Sequence, residues 1–348
     1  MTLITDPDLI NAGRPGWPGQ EGAMPAAGLE QAFEEHQREL HVHCYRMLGS
    51  YTDADDLVQE TLLRAWRNRE DFRPGTNVRA WLYRIATNVC IDAIRSRHRQ
   101  ITRLGSNGEV TWLEPYPDAL LDHVSDEAEG PEAAVVARET IELAFIAALQ
   151  ALPPRQRGVL VLSAALGWTP REVASALEMT TAAVNSALQR ARATLRDRLP
   201  SDRTAWTAPE LSADERATLR RFIDVHERGD GAAVAALMRD DIVAHMPPDP
   251  VLCRGMEEQA ALIDIAFGPH GMGAWRLVPV GANRQPAAAS YLRRPGDTAY
   301  RAYKLDVLSV AGGLIAATTT FDATPFHAFG LPAVWTPALD ASVHEQRS

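Results

Sequence analysis

Acidic, basic and small polar side chains recur along this chain at helical spacing, in groups suited to holding charged surfaces rather than to turning over a small molecule. Across residues 52–66, Val58, Leu62, Ala65 and Trp66 repeat as an apolar stripe, which sets Asp56, Gln59, Glu60, Arg64 and Arg67 on the opposite face. Across residues 78–99, Val78, Trp81, Leu82, Ile85 and Val89 form a second stripe, and Arg84, Asn88, Asp92, Arg95 and Arg99 track along the other side. From Arg79 to Arg103 six arginines stand against one acid, Asp92. An arginine stripe with aromatic neighbours suits phosphates and unstacked bases, whereas an acidic stripe suits a basic protein surface. A third group occupies residues 181–196. There Val184, Leu188, Ala191 and Leu195 face inward, while Thr181, Asn185, Ser186, Gln189, Arg192 and Arg196 alternate outward and Arg190 flanks them. Short polar side chains at the front and arginines behind suit base edges and phosphates, as a helix entering a major groove requires.

The elements that must position these faces are legible as helices. Thr52 followed by Asp55 reads as a capping box opening the first. A Pro-Gly loop over residues 72–77 separates it from the second. From Leu152 a helix runs to Ala165, Gly167 breaks it, and Thr169-Pro170-Arg171-Glu172 reads as N-cap, N1 proline and N3 glutamate of the next. Trp168 and Val173 are placed as a hydrophobic staple around that cap. Helix, turn and helix there make a second binding unit.

Charge is divided along the chain. The net charge of −10 hides seven arginines against three acids over residues 151–200, and ten acids against two arginines over 101–150. The acidic stretch 105–134, with Pro115 and Pro117, is expected to be an unstructured linker, and residues 1–28, rich in Pro and Gly, a disordered leader. Three dispersed cysteines, Cys44, Cys90 and Cys253, exclude a disulfide framework and fit a reducing cytoplasm. The run His41-Val42-His43-Cys44 lacks a partner cluster at metal-site spacing, so no metal and no cofactor is expected. No apolar run has the length of a membrane span.

With these residues in view, the chain resembles the extracytoplasmic-function class of bacterial sigma factors. The resemblance rests on residues 52–95, and on Glu172-Val-Ala, Val184-Asn-Ser and Gln189-Arg-Ala-Arg192. It implies two all-α sigma domains, domain 2 at 29–104 and a helix-turn-helix domain 4 at 135–200. It implies that Asp56, Gln59 and Glu60 contact the clamp helices of the largest subunit of core RNA polymerase. Asn77, Arg79, Trp81, Arg84, Asn88, Arg95 and Arg99 would melt and read the minus-10 element of promoter DNA, with a flipped base held by the 72–77 loop. Thr181, Asn185, Ser186, Gln189, Arg190 and Arg192 would read the minus-35 element. The linker would thread the polymerase.

Plain members of that class end near Pro200, and this chain continues. Residues 211–241 read as two helices, with Leu219, Phe222, Ile223 and His226 on one face and Val234, Leu237 and Met238 on the other. Strand-like runs follow at 242–246, 275–280, 287–292, 299–310 and 314–321, with hairpin turns at Gly296-Asp297 and Gly312-Gly313. Helices first, then a curled antiparallel sheet, argue an α+β unit. Over 208–335 it resembles the cone-shaped SnoaL-like fold, which implies an open-ended apolar pocket and a regulatory module acting in cis. His245, Tyr291, Tyr303 and Asp306 are the candidates for a pocket holding a small apolar ligand; Asp249, His270 and Asp322 complete the titratable set. None lies in a motif that assigns catalysis, so the chain is read as a non-enzyme. The competing reading is a one-component, ligand-sensing helix-turn-helix regulator, which would have no use for the face of Asp56, Gln59 and Glu60.

Overall fold

A computed structural model describes residues 26–72, 77–103, 113–121, 141–198, 211–247 and 251–336. The first unit is three helices, α1 (Ala26–Leu48), α2 (Tyr51–Arg67) and α3 (Val78–Arg103). They share a core of Leu40, Tyr45, Val58, Ala65, Leu82 and Ala86. α2 begins one residue before Thr52, because Ser50 is the cap: its hydroxyl accepts from the Asp53 amide at 3.1 Å. The expected Thr52–Asp55 box is therefore not the start of the helix. Trp66 also departs from the expected stripe and is 39 % exposed. Leu62 and Ala65 fill the stripe at that level, and the larger indole lies at its edge under the Arg69 guanidinium, 5.1 Å from its ring centre.

Residues 113–121 carry a single turn, α4 (Asp118–Leu121), within the stretch expected to be unstructured. The second unit holds α5 (Leu143–Gln150), α6 (Pro154–Ala165), α7 (Pro170–Ala176) and α8 (Thr181–Arg198). Its turn forms as the sequence requires: Gly167 takes φ +66°, and Thr169 and Glu172 complete a reciprocal capping box. α6 packs on α1 and α3 of the first unit, and the close approach needs Gly158, where a Cβ would stand 3.1 Å from Thr87 Cγ2. Arg157 bolts the same seam. Only 4 % exposed, it donates to Met47 O at the end of α1 (2.6 Å), to Gln150 O (2.8 Å) and to Leu152 O (3.2 Å). Met47 and Gln150 lie at helix ends, where carbonyls lack partners in their own helices, Leu152 lies in the turn between α5 and α6, and one planar guanidinium serves all three carbonyls.

The third unit begins with α9 (Ala213–Glu227) and α10 (Gly231–Ala235). It continues through β1 (Met238–Met246), β2 (Val251–Arg254), α11 (Gly255–Phe267), β3 (Ala274–Ala282), β4 (Gln285–Arg293), β5 (Arg301–Ala311) and β6 (Leu314–Asp322). The sheet order is β2-β1-β6-β5-β4-β3. The second helix stops at Ala235, short of the expected Asp241, because Met238 already pairs with Ile315 and the β-branched run that follows is drawn into the sheet. The sheet is also mixed rather than wholly antiparallel: β1 runs parallel to β6. These two strands are joined through the whole unit, so no hairpin dictates their direction. α9 packs on β3, β4 and β5 over Phe222, Trp275, Leu277 and Leu308. Both expected turns form, and a third, unassigned from sequence, links β3 to β4 through Asn283 and Arg284, each at φ +58°.

Candidate nucleic-acid interface

α8 presents the expected face in full. Val184, Ala187, Leu188, Ala191 and Leu195 are buried, and Thr181, Asn185, Ser186, Gln189, Arg190 and Arg192 are all exposed. Thr180 caps the helix start, its hydroxyl accepting from Ala183 N at 3.1 Å, so Thr181 stands in the first turn with Asn185 and Gln189 following one turn apart. Among the described residues, no side-chain hydrogen bond or ion pair ties up Asn185, Ser186, Gln189, Arg190 or Arg192.

α3 keeps part of its expected set. Asn77, Arg84, Asn88 and Arg95 are exposed. Arg79 and Trp81 are not available as expected. The Arg79 guanidinium grips both oxygens of Glu39 on α1 (Nε to Oε1 3.0 Å and to Oε2 2.8 Å), and Trp81 is 9 % exposed with its ring edge-on to Phe72 at 5.2 Å. A carboxylate one helix away satisfies Arg79 at short range, and burial of an indole outweighs its use as a stacking surface. Burial alone would raise the Glu39 carboxyl, but hydrogen bonds from His36 and Arg79 outweigh it and hold the group at about 2. The Arg99 side chain and residues 73–76 lie outside the described residues.

α2 supplies the acidic face. Asp56 and Gln59 are exposed, whereas Glu60 is half-buried and accepts from Arg64 Nε at 2.8 Å; Arg64 Nη1 reaches on to Asp92 of α3 at 3.0 Å. Leu63 is 50 % exposed one turn beyond Gln59, and Trp66 follows it. Asp56, Gln59, Leu63 and Trp66 therefore form one continuous outward stripe, acidic at one end and apolar at the other. The sequence carried this signal in the spacing of Leu63 from Asp56, which Trp66, assigned to the core, concealed.

The four pocket candidates of the third unit do not converge. Tyr291 is packed between Phe326 and Trp335 and donates to Pro332 O at 2.9 Å, whereas Tyr303 sits with Trp275 in the other apolar cluster and bonds Met272 Sδ at 3.6 Å. Asp306 is 2 % exposed, paired with Lys304 Nζ at 3.0 Å and accepting from Thr320 Oγ1 at 2.7 Å. His245 and His270 are exposed, Asp322 caps Thr324 N at 2.9 Å, and Asp249 lies outside the described residues. Among the described residues no group of His, Cys, Asp and Glu could hold a metal ion.

The chain matches the Sigma-70 region 2 family over residues 32–100, Sigma-70 region 4 over 142–195 and the SnoaL-like domain over 219–318. It is 42 % identical over 329 residues to the ECF RNA polymerase sigma factor SigG of Mycobacterium tuberculosis, covering 90 % of this chain and 87 % of that one. It is a member of the ECF sigma factors. It is also 28 % identical over 301 residues to SigJ of the same species, and its fold matches the crystal structure of M. tuberculosis SigJ with a TM-score of 0.60 at 22 % identity, over 87 % of this chain and 99 % of that one.

In this sigma factor the two sigma domains and the SnoaL-like domain meet at one residue. Asn283, at the tip of the β3–β4 hairpin and 0 % exposed, donates through Nδ2 to Tyr45 Oη on α1 (2.8 Å) and to Ile141 O before α5 (2.6 Å). Its Oδ1 accepts from Tyr116 N (2.8 Å), and its amide donates to Tyr116 O (2.9 Å). Beside it Arg284 N donates to Asp118 Oδ1 at 2.7 Å, and Gln285 Oε1 accepts from Leu143 N at 3.1 Å. The described part of the linker is tied to domain 2 as well: Glu114 Oε2 accepts from Ser50 Oγ (3.1 Å) and Thr52 N (2.8 Å) at the start of α2. Domain 2, linker, domain 4 and SnoaL-like domain thus close on a shared, fully hydrogen-bonded joint. Among the described residues no helix is long and apolar enough to cross a membrane.

Proposed function

We propose that this sigma factor binds core RNA polymerase through the outward stripe of α2, reads promoter DNA through α3 and α8, and is held closed in cis by its SnoaL-like domain. The stripe of Asp56, Gln59, Leu63 and Trp66 suits a basic helical partner such as the clamp helices of the largest subunit. The exposed Asn77, Arg84, Asn88 and Arg95 suit an unpaired strand, and the α8 face suits a major groove. This two-surface arrangement favours a polymerase-bound factor over a one-component regulator, which would leave the α2 stripe without a partner.

The joint at Asn283 carries the regulatory part. Promoter elements at minus-10 and minus-35 are separated by about 85 Å of B-form DNA at roughly 3.4 Å per base pair. Helices packed as α6 is on α1 and α3 lie roughly 10 Å apart, so both elements can be read together only after domains 2 and 4 separate. Asn283 bonds the flanks of both domains and the linker between them, and so opposes that separation. No catalytic role is assigned to the SnoaL-like domain, since its best-buried carboxylate, Asp306, is neutralised by Lys304.

The test is transcription with purified core polymerase. The wild-type chain should give promoter-specific transcripts, and Asn283→Gly, which keeps the left-handed turn while deleting the side chain, should raise yield severalfold. No complex with core enzyme at micromolar concentration would sink the sigma reading; equal yields would sink the closed-state reading.

A further inference from the structure

The joint has a cavity beside it. About 800 Å³ in volume, it lies where the edge strand β3 meets the linker, with apolar walls from Leu120 of the linker, Leu219 and Ile223 of α9, Val280 of β3 and Phe329 of the C-terminal turn. That volume is in the range of small-molecule sites, which are mostly apolar with a few placed polar groups. The charged groups lining the cavity are Arg216, Arg220 and Asp224. Arg216 and Arg220 line the same cavity from successive turns of α9; Arg220 is exposed, and Arg216 donates one guanidinium hydrogen to Leu211 O. Asp224 lines the cavity one turn beyond Arg220, but its carboxylate is paired at 3.2 Å with Arg228, a further turn along, which leaves the two arginines in excess.

The cavity exists only while the joint is closed. Pro117 is bridged to Ala282, and the Asp118 carboxylate packs so closely over Gly281 that a Cβ there would stand 2.5 Å from Asp118 Oδ2. One wall is therefore linker and the facing wall is SnoaL-like domain, and opening the joint takes the cavity apart. A ligand that contacts both walls binds the closed state and not the open one, and shifts the population toward closed.

We infer that this cavity binds a lipophilic carboxylic acid, with the apolar body against Leu120, Leu219, Ile223 and Val280 and the carboxylate at Arg216 and Arg220, and that the bound acid keeps the sigma factor closed. Neither Asp306 nor Tyr303 lines this site, and its regulatory consequence rests on the closed-state reading above. Dodecanoate and dodecanol serve as probes, one carrying the charge and one lacking it.

Binding is measured by calorimetry on the full chain, independently of polymerase. Dodecanoate should bind more tightly than dodecanol. The double variant Arg216→Gln/Arg220→Gln should bring the two probes to the same affinity, and Ala119→Phe, which projects a ring into the cavity from an exposed linker position, should abolish binding of both. At about ten times its dissociation constant, dodecanoate should multiply the closed-to-open ratio roughly elevenfold, lowering transcript yield from wild type and leaving Ala119→Phe unaffected. No binding by either probe, binding that survives Ala119→Phe, or equal affinity of the two probes for wild type would overturn the assignment. Binding without loss of transcript yield would overturn its regulatory part. Transcription in the absence of probe reports separately on the sigma function, so failure of one does not pass for failure of the other.

Discussion

At single positions, the consequences divide between reading and holding. Asn185 and Gln189 stand exposed on α8 with no competing partner, so replacing either by alanine should relax upstream promoter preference by about 1–3 kcal/mol per lost base contact. Arg192→Ala should instead weaken binding to every duplex alike and flatten the salt dependence of binding. Competition binding against scrambled duplexes across a salt series separates the two, and equal effects would contradict the division. Arg157 holds three backbone carbonyls at the seam, so Arg157→Met should lower stability by about 3 kcal/mol, and Arg157→Lys should not restore it, since an ammonium cannot span that fork; denaturant unfolding is the measurement. Two groups predict the acid side of stability. Burial, with the nearby Arg46, holds His43 down to about 3, so below its ordinary value near 6.5 the unfolded chain takes up a proton that the folded one refuses. Glu39, held at about 2, adds stability above the ordinary carboxylate range that is lost as pH falls from there towards 2. The melting temperature should therefore begin to fall near pH 6.5 and fall further below about pH 4.5, with Glu39→Gln removing the second component and, since the Glu39 charge favours the protonated His43, not diminishing the first.

Among elements, α2 is the informative one. Asp56→Arg with Glu60→Arg should abolish the complex with core polymerase while leaving helical circular dichroism intact, since Asp56 is exposed and Glu60 loses only a surface pair with Arg64. Leu63→Ser should weaken the same complex, which gel filtration checks. The helices and their outward faces were legible in the sequence because an apolar stripe at helical period fixes which side faces the core, and this held for α2, α3 and α8. Arg79 and Trp81 escaped it because their fate depends on Glu39 and Phe72, residues on other elements that no periodicity connects to them. The strand at Met238 was read as helix for a similar reason: its partner, Ile315, is far along the chain, and pairing overrode local spacing. The Ala282-Asn283-Arg284-Gln285 turn offered a signal in Asn283, which tolerates the left-handed region. Nothing local could reveal that its amide would be spent on Tyr45, Tyr116 and Ile141.

For the whole molecule, the closed-state proposal makes regulation a property of how three units close. Gly158→Leu would press on Thr87 and Ile91 across the domain 2 and domain 4 seam and should, like Asn283→Gly, favour the open form, seen as a larger hydrodynamic radius by small-angle scattering. The reach of the joint also has a consequence in time. Tyr45 and Asn283 are separated by 238 residues, and a ribosome adding roughly 5–20 residues per second takes tens of seconds to make the second after the first. For the later part of that interval, once the chain has been made as far as Arg198, domains 2 and 4 are both on the nascent chain without the hairpin that joins them. On the closed-state proposal, the nascent chain at that stage has the α6 seam but lacks the hairpin's share of the closure, and arrested nascent chains ending before β3 should capture promoter DNA or core polymerase more readily than the finished protein does.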